Sequence, residues 1–311
     1  MTRIAYLGPP GTFTEQAARQ WSEGLAGAGA ETIDAPTVPA AIAALREGRV
    51  DVAVVPFENS VEGSVPATLQ ALLDGGVDGV RIGAEVHVQV QFSLLTRPGT
   101  SLEDLRERAT LATHPHAAAQ TRNWVDRSLP RAKVVPESST ARAAQAVSEG
   151  LYDAAIAAPG AAQAYGLVPV AEHIADRPGA VTRFVVLRVG APVPAPTGSD
   201  CTTLVTWIWA NRPGALLALL DQFAVRGIDL SRLESRPTGE GLGEYCFWID
   251  ANAHLDEPRM QEALVGLRRT CRDVRFLGSY PRADGRLVLV PAHARDQTYV
   301  EAREWVQRLT T

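Results

Sequence analysis

Short apolar runs alternate with helical stretches between residues 3 and 157, and this alternation constrains the fold more than any other feature of the chain. Five runs are typical of buried strands: Arg3 to Leu7, Val52 to Val55, Thr110 to Ala112, Lys133 to Val135 and Ala154 to Ala157. Five stretches between them are patterned as helices: Glu15 to Trp21, Pro39 to Arg46, Ala67 to Leu73, Ala117 to Val125 and Ala141 to Glu149. The order predicts an α/β fold with mostly parallel sheets, in which ligands bind beyond the carboxyl ends of the strands.

Two long apolar segments interrupt this alternation. The first runs from Glu85 to Thr96 with valines on one side and polar residues on the other, and the second runs from Thr182 to Val189. Connectors of this length favour two α/β lobes joined by crossover strands. We therefore expect a two-lobed domain with a cleft between the lobes, similar in layout to the periplasmic binding proteins.

A proline-rich segment divides the chain near residue 190. It contains Pro192, Pro194 and Pro196 between Gly190 and Gly198, a composition that favours an extended linker. The elements beyond it are expected at Thr202 to Trp209, Pro213 to Val225, Ile228 to Glu234, Gly243 to Asp250, Glu257 to Arg268 and Val274 to Ser279. This βαββαβ order predicts a ferredoxin-like domain. The predicted division is 1–190, a linker at 191–199, a second domain at 200–281 and a tail at 282–311 with a helix at 297–309.

The composition of the chain argues against some classes of binding partner. The formal charge of −5 and a sequence pI near 5.7 provide no basic field, so neither nucleic acid nor an anionic membrane surface is expected as a partner. The amino terminus lacks the apolar region of a signal peptide, and no run approaches the roughly 18 apolar residues that span a bilayer. We expect a cytoplasmic protein.

Cofactor and metal chemistry have little support in the sequence. The three cysteines, Cys201, Cys246 and Cys271, are scattered without CxxC spacing and are expected as buried or half-buried thiols. Neither GxGxxG nor a P-loop lysine is present. His114 and His116 flank a proline without a third ligand at metal spacing. No cofactor and no metal are therefore expected.

A glycine-rich turn follows the first predicted strand. Its sequence is GPPGTFT at residues 8–14, and Thr14 is in position to cap the next helix, with Glu15 in its first turn. A strand, such a turn and a helix N-terminus together form a site for a small anion. A simple tight turn is an equally good interpretation of this segment.

Polar side chains follow three other predicted strands. Asn59 and Ser60 come after one of them, Thr113 and Gln120 come after another, and Glu137 follows the next. These positions place neutral donors and a carboxyl group where a cleft is expected. Capping of the following helix by Ser60 or Ser64 is the alternative interpretation of the first cluster.

Four stretches match one enzyme family in order and spacing. They are the turn at 8–14, the segment 56–60 and two longer motifs. The first motif, which ends in Thr-Arg-Phe and further aliphatics, is filled by Tyr165, Leu167, Val170, Asp176, Thr182, Arg183, Phe184, Val185 and Leu187. The second motif is LSRLESRP at 230–237, preceded by NRPGALL at 211–217. On these residues the chain resembles the prephenate dehydratase family over residues 1–281. The last two segments are similar to those with which an ACT domain binds phenylalanine.

The resemblance implies a cofactor-free lyase that converts prephenate to phenylpyruvate with loss of water and carbon dioxide. The positions that match the family's catalytic set are Thr182, Asn59, Gln120, Thr113 and Glu137. Substrate contacts are expected from Arg183, Phe184, Ser60, Gly11 and Thr12. Thr182 would donate to the leaving hydroxyl, Glu137 would supply a proton and Arg183 would clamp a carboxylate. Pro10, His116 and Ala180 depart from the residues that family members usually or often carry there.

The resemblance also implies regulation by phenylalanine. The expected effector residues are Asn211, Gly214, Ala215, Leu216, Glu234, Ser235 and Arg236. The turn before the second domain's first helix would leave backbone donors for the effector's carboxylate, and a homodimer or homotetramer would form through the ACT domains. The alternatives are an arogenate dehydratase, a prephenate decarboxylase or a non-catalytic amino-acid sensor.

Overall fold

A computed structural model describes residues 1–24, 29–75, 79–239, 241 and 244–309. The chain divides into two compact units, one formed by Met1–Gly76 with Val86–Val186 and the other by Val77–Glu85 with Leu187–Thr311. The predicted division assigned residues 77–85 to the first domain, whereas the structure groups them with the second unit. The contacts of this segment explain the grouping, because Arg81 donates to the Phe276 carbonyl at 2.7 Å and Glu85 accepts from the Ala283 N–H at 2.8 Å.

The first unit is built from eleven strands and six helices within the described residues. In chain order these are β1 (Thr2–Leu7), α1 (Phe13–Glu23), β2 (Ala30–Ala35), α2 (Val38–Arg46), β3 (Val52–Asn59), β4 (Gly63–Ser64), α3 (Pro66–Asp74), β5 (Val80–Gln89), β6 (Ser93–Thr96), β7 (Thr110–Thr113), α4 (Pro115–Ser128), β8 (Lys133–Pro136), α5 (Thr140–Ser148), β9 (Ala154–Ala157), α6 (Gly160–Tyr165), β10 (Val168–Ala171) and β11 (Val181–Val189). The strands β5 and β11 continue into the second unit.

The first lobe surrounds a sheet of order β2-β1-β3-β11-β5, with the short strand β4 on β3. The strand β1 is parallel to both β2 and β3. Residues 52–55 of β3 are completely buried, as the apolar run predicts for a central strand covered on both faces. This position of β3 places its last residue, Asn59, beside the first residues of β11.

The second lobe surrounds a sheet of order β10-β6-β9-β7-β8. The strand β7 is parallel to β8 and β9, whereas β6 is antiparallel to β9 and β10. The prediction of mostly parallel sheets therefore needs correction here, because the strand that enters from the crossover runs against its neighbours. Leu94, Leu111 and Ile156 are among the buried residues of this lobe's core.

The two crossover segments confirm the predicted two-lobed fold, but the first of them differs from the single strand that was predicted. The segment 85–96 is two strands, β5 and β6, separated at 90–92, where the Val90 N–H donates to the Ala180 carbonyl at 2.7 Å. Four elements of the first unit were not predicted: β2, β4, α6 and β10. The strands β2 and β10 lie at sheet edges, where one residue of β2 and none of β10 is buried, so neither is a buried apolar run.

The second unit has the predicted βαββαβ order. Its elements are β12 (Asp200–Trp207), α7 (Ala215–Ala224), β13 (Leu230–Pro237), β14 (Tyr245–Ala251), α8 (Pro258–Thr270) and β15 (Asp273–Pro281). The antiparallel sheet has the order β13-β14-β12-β15, and its core joins Leu204 and Phe247 to Leu219 of α7 and Met260 of α8. The predicted start of β14, at Gly243, lies outside the described residues.

The predicted linker and tail both lie in the second unit. Residues 191–197 have no regular secondary structure, and β12 begins where the Asp200 carboxylate accepts the N–H groups of Thr197 and Gly198 at 2.8 and 2.9 Å. The tail contains a 3-10 turn at Ala292–Ala294 and a helix, α9 (Asp296–Arg308). This helix is within one residue of its predicted bounds. None of its residues is buried.

Candidate active site

A hydrogen-bonded pair lies where β3 ends and β11 begins. The Asn59 side-chain nitrogen donates to the Thr182 hydroxyl oxygen at 2.9 Å. The amide oxygen of Asn59 accepts the backbone N–H groups of Val61 and Glu62 at 2.9 and 3.1 Å, which fixes the amide with its nitrogen toward Thr182. Because Thr182 accepts this bond, its own hydroxyl hydrogen points elsewhere. The pair therefore presents an oriented hydroxyl donor, brought together across 123 residues of sequence.

Ser60 fixes the start of β11 next to this pair. Its N–H donates to the Val181 carbonyl at 2.9 Å, and its hydroxyl accepts the Val181 N–H at 3.0 Å. The capping alternative is wrong, because α3 is preceded by Val65 and has no side-chain cap. Ser60 thus holds the backbone that carries Thr182.

The strand alternation separates Arg183 from Thr182. Neighbouring residues of a strand point to opposite faces, and the Arg183 guanidinium lies 3.7 Å from the Glu58 carboxylate and over the Phe57 ring. Phe184 is only 1% exposed and belongs to the protein interior. This geometry does not favour the predicted carboxylate clamp at Arg183 or the predicted substrate contact at Phe184. It favours a structural role for both.

The glycine-rich turn binds a carboxylate of the protein itself, that of Glu15. The Gly11 N–H donates to the carboxylate of Glu15 at 2.6 Å, and Arg19 binds the same carboxylate at 2.7 Å. The helix cap is Thr12, whose hydroxyl accepts the Glu15 N–H at 3.2 Å, so the predicted cap at Thr14 is wrong. The predicted anion site is partly satisfied by Glu15, a residue whose role the sequence analysis missed.

Gly11 also lies where the two lobes meet. Its φ is +85°, and a Cβ placed on it would be 2.8 Å from the Cα of Ala161 in α6. Nearby, the Tyr165 phenol donates to the Pro10 carbonyl at 2.8 Å. Burial is the largest cause of a raised pKa at Tyr165, followed by the charge of Glu15. The turn is thus in close contact with the second lobe, which explains why a glycine is required there.

A groove of about 840 Å³ opens beside this contact. It is lined from the first lobe by Gly11 and Thr12, from the crossover by Gln89 and Gln91, and from the second lobe by residues 158–160. The volume is in the range of small-molecule sites. Gln89 and Gln91 lie on the polar side of the predicted crossover, but no local sequence signal indicates a function for them.

The second lobe contributes a polar cluster at the start of α4. Gln120 donates to the carboxylate of Glu62 at 3.1 Å, and the His116 imidazole contacts the same carboxylate. His114 caps α4 by accepting the His116 N–H at its Nδ1 atom, at 3.3 Å. Burial, followed by the charge of His116, lowers the pKa of His114. Gln120 therefore reaches the turn that also holds Asn59.

Thr113 and Glu137 are engaged within the second lobe. The buried Thr113 hydroxyl donates to the Ile156 carbonyl at 2.7 Å, which indicates a structural role. Glu137 is half-buried, its N–H donates to the Thr113 carbonyl at 2.8 Å, and its carboxylate accepts the Tyr152 phenol. That bond is the largest cause of a raised pKa at Tyr152. The catalytic roles of Thr113 and Glu137 stay predictions.

The predicted effector residues lie in the second unit around the start of α7. Gly214 has a φ of +81° and precedes α7, and Asn211 and Leu216 are exposed. The Ala215 N–H donates to the Arg212 carbonyl at 3.0 Å, so the expectation that it stays free for a carboxylate is wrong. A cavity of about 240 Å³ adjoins this turn and is lined partly by Trp209, Arg212, Ala215 and Cys271.

The β13 part of the predicted effector set is divided between two faces of the sheet. Ser235 is paired with Phe247, which packs in the core beneath α7. Glu234 and Arg236 point to the other face, where they form an ion pair at 3.2 Å. Arg232 also binds Glu234, at 2.5 Å. Only Ser235 therefore shares a face with the α7 turn.

In the described part of the chain, no group of three or more His, Cys, Asp or Glu residues is arranged to hold a metal ion, and no helix has the length and hydropathy of a membrane span. The three cysteines are buried, free thiols, and burial raises the pKa of both Cys246 and Cys271.

The fold and the site define a two-lobed α/β protein with an oriented hydroxyl–amide pair at the end of the first lobe's central strand, and a ferredoxin-like unit. A family model described as prephenate dehydratase matches residues 4–191. The chain belongs to the prephenate dehydratase family.

Known proteins resemble the chain over nearly its whole length. A prephenate dehydratase of Amycolatopsis methanolica is 49% identical over 98% of this chain and 97% of its own length. The crystal structure of an Arthrobacter aurescens prephenate dehydratase in complex with L-Phe is 45% identical, with a TM-score of 0.91 and 99% of both chains covered. The protein GqqA, described as a novel type of quorum quenching acylase, is 32% identical, with a TM-score of 0.79, and covers 90% of this chain and 98% of its own.

Proposed function

We propose that this chain is a prephenate dehydratase, which converts prephenate to phenylpyruvate, water and carbon dioxide. The observation that supports this most is the Asn59–Thr182 pair. Asn59 donates to Thr182, so the threonine hydroxyl directs its hydrogen away from Asn59 and toward an incoming oxygen atom. A positioned hydroxyl donor is what the leaving ring hydroxyl requires.

The proposed reaction breaks two bonds. The bond from the ring carbon to the carboxylate breaks, carbon dioxide leaves, and the electron pair enters the ring. The bond from the ring to its hydroxyl breaks, and the hydroxide takes a proton and leaves as water. Because aromatisation drives the change, the chemistry needs no electron sink from a cofactor. The protein's task is to hold the dianion in reactive geometry and to assist the leaving hydroxide.

The contacts of each residue suggest its part in the proposed reaction. Thr182 donates to the leaving oxygen, Asn59 orients Thr182, and Gln120 reaches the same region from the second lobe. Gly11 and Thr12 line the groove of about 840 Å³ and are the proposed substrate contacts at the glycine-rich turn. A threonine hydroxyl is a weak acid, so the net proton comes through it from water or from a carboxyl group such as Glu137.

Phenylalanine is the proposed effector, and the second unit is its proposed site. The exposed turn at 211–216, the adjoining cavity of about 240 Å³ and the exposed side chain of Ser235 on the sheet face shared with α7 support this assignment. The solved relative whose crystal structure contains L-Phe is 45% identical over 99% of this chain.

A homodimer or homotetramer through the second units is the proposed assembly. The strand β13 is at the edge of its sheet and carries the exposed Leu233, and Leu217 of α7 is 63% exposed. An unpaired edge strand beside exposed apolar residues is a surface on which a second copy can complete the sheet. The cytoplasm is the proposed location, as for a biosynthetic enzyme acting on a soluble intermediate.

Purified full-length protein incubated with prephenate at neutral pH tests the proposal. Phenylpyruvate and carbon dioxide should form in equal amounts, before and after dialysis against EDTA, and phenylalanine should change the rate. Carbon dioxide release with the hydroxyl retained would identify a decarboxylase, and a preference for arogenate would identify the amino analogue as substrate. Amide hydrolysis without prephenate turnover would identify an acylase. Phenylalanine binding without any turnover would identify a sensor.

A further inference from the structure

Glu62 contacts the second lobe from the turn between β3 and β4. Its carboxylate accepts a hydrogen bond from Gln120 at 3.1 Å and is also in contact with the His116 imidazole. Both partners belong to α4, so the contact joins the two lobes of the first unit. One carboxylate therefore holds two side chains of the opposite lobe.

The backbone of the same residue belongs to the Thr182 site. The Glu62 N–H donates to the Asn59 amide oxygen at 3.1 Å, and the other end of that amide donates to Thr182. Glu62 thus touches the Asn59–Thr182 pair through its main chain and Gln120 through its side chain. Among the described residues, the contacts of Glu62 are the most direct connection between Gln120 and the Asn59–Thr182 pair.

We propose that Glu62 is a positioning residue, whose carboxylate sets the Gln120 amide against the Asn59–Thr182 pair when the two lobes are closed. This inference rests on the proposed function. Glu62 itself does not touch the reacting atoms. It acts by fixing the direction of an amide that does, and His116 supplies a second donor that keeps the carboxylate turned toward α4.

A solvated surface ion pair is the competing explanation. The side chain of Glu62 is 34% exposed and that of His116 is 64% exposed, and pairs of this exposure contribute little to stability. If the contact were only that, its removal would leave turnover unchanged. A positioning role predicts the opposite, because small displacements of an orienting group lower rates strongly.

The first test compares Glu62→Ala with Glu47→Ala in steady-state prephenate turnover. Glu47 is an exposed carboxylate of the first lobe whose partner, Arg49, lies in the same lobe, so it is a matched control. Glu62→Ala keeps the backbone N–H that binds Asn59, and we expect a loss of about tenfold to a hundredfold in kcat/KM. Glu62→Gln retains one acceptor and should lie between the wild type and Glu62→Ala. Glu47→Ala should remain near the wild type.

The second test is a double-mutant cycle with Gln120→Ala. If Glu62 acts through Gln120, Glu62→Ala should cause almost no further loss in the Gln120→Ala background. A purely structural role would lower turnover by the same factor in both backgrounds. Thermal melting of each variant separates a loss of folded protein from a loss of rate.

The outcomes separate this inference from the proposed function. Absence of prephenate turnover in the wild type would refute the function. An active wild type with an equally active Glu62→Ala variant, or with additive losses in the cycle, would overturn the positioning role and leave the function standing.

Discussion

At the scale of single residues, the candidate site depends on which way one amide points. The oxygen of Asn59 accepts two backbone N–H groups, so its nitrogen is committed to the Thr182 hydroxyl. A hydroxyl that accepts in this way keeps one hydrogen for a ligand. The catalytic assignment of Thr182 therefore rests on hydrogen-bond direction as well as on proximity.

Replacement of Thr182 by valine tests this assignment. The change removes the hydroxyl and keeps the branched shape that a strand residue needs, so the fold should persist. Loss of one positioned donor should lower kcat by roughly 10²- to 10³-fold. Steady-state turnover of prephenate measures the effect.

Thr182→Ser is the matched control, because it keeps the hydroxyl and loses only a methyl group. It should retain most of the activity. If Thr182→Val turned over prephenate as fast as Thr182→Ser, the hydroxyl would have no part in the reaction.

His114 gives the protein a local dependence on pH. Burial, and then the charge of His116, holds the pKa of His114 below its ordinary value, and the neutral ring accepts the His116 N–H at the start of α4. Because the folded pKa is depressed, the unfolded chain takes up the proton first. The contribution of His114 is complete above a pH of about 6.5 and is lost as the pH falls through the folded pKa.

His114→Asn should reduce this dependence, because asparagine caps a helix without titrating in that range. Urea unfolding of both proteins between pH 8 and pH 5 measures the free energy of unfolding. The stability of the wild type should fall more steeply below pH 6.5 than that of the variant. Parallel curves would show that His114 is not linked to folding.

At the scale of secondary-structure elements, the start of α1 shows how a local motif acquires a different role in the folded protein. A glycine-rich turn before a helix predicts an anion site. Here the carboxylate of Glu15, in the helix's own first turn, accepts the Gly11 N–H at 2.6 Å. The turn then contacts α6 of the second lobe through Gly11. In the folded protein this turn also forms part of the groove between the lobes.

Gly11→Ala and Gly48→Ala form a matched pair of variants for this turn. Both glycines have positive φ, +85° and +69°, so alanine should cost about 1–2 kcal/mol of the free energy of unfolding at each position. Only at Gly11 does the new Cβ meet the opposite lobe, whereas nothing lies within 4 Å at Gly48. We therefore expect Gly11→Ala to impair closure of the lobes.

Chemical denaturation and prephenate turnover distinguish the two effects. Both variants should lose stability, Gly11→Ala more than Gly48→Ala, and only Gly11→Ala should raise KM for prephenate. Equal KM values in the two variants would mean that the Gly11 contact has no part in substrate binding.

At the scale of the whole molecule, the chain has one unit with the proposed reaction site and another with the proposed effector site. Coupling between such sites requires that the effector bind two states of the protein with different affinity, typically by about 1–3 kcal/mol. By the same linkage, prephenate should change the affinity for phenylalanine. The turn at 211–216 and Ser235 are the residues through which this coupling is tested.

Gly214→Ala and Ser235→Ala should both weaken phenylalanine binding while unregulated turnover stays near that of the wild type. At Gly214 the reason is the φ of +81°, which alanine adopts only with strain in the turn, and at Ser235 it is the loss of a hydroxyl on the face shared with α7. Gly285→Ala, with a φ of +62° in open space, is the control for backbone strain alone. Calorimetry that shows undiminished phenylalanine binding in both variants would place the effector site elsewhere.

Local patterning was sufficient for most elements of the fold. The strand at Ala154–Ala157 and the helix α9 were predicted within one residue, because apolar periodicity and capping act over a few neighbouring positions. The proline-rich segment and the βαββαβ order after it were also readable, since turn chemistry and element order are properties of the chain itself. The motif residues identified the family because the order and spacing of residues are also properties of the chain itself.

Tertiary structure alone decided which of those residues act together. Asn59 meets Thr182 across 123 residues and Gln120 meets Glu62 across 58, and no local pattern specifies such pairs. The alternation of β11 placed Arg183 on the face opposite Thr182, although the two residues are consecutive in the motif. The sequence by itself therefore determined the elements and the family, whereas strand pairing and lobe contact decided which side chains face the cleft, because those depend on free energies summed over distant parts of the chain.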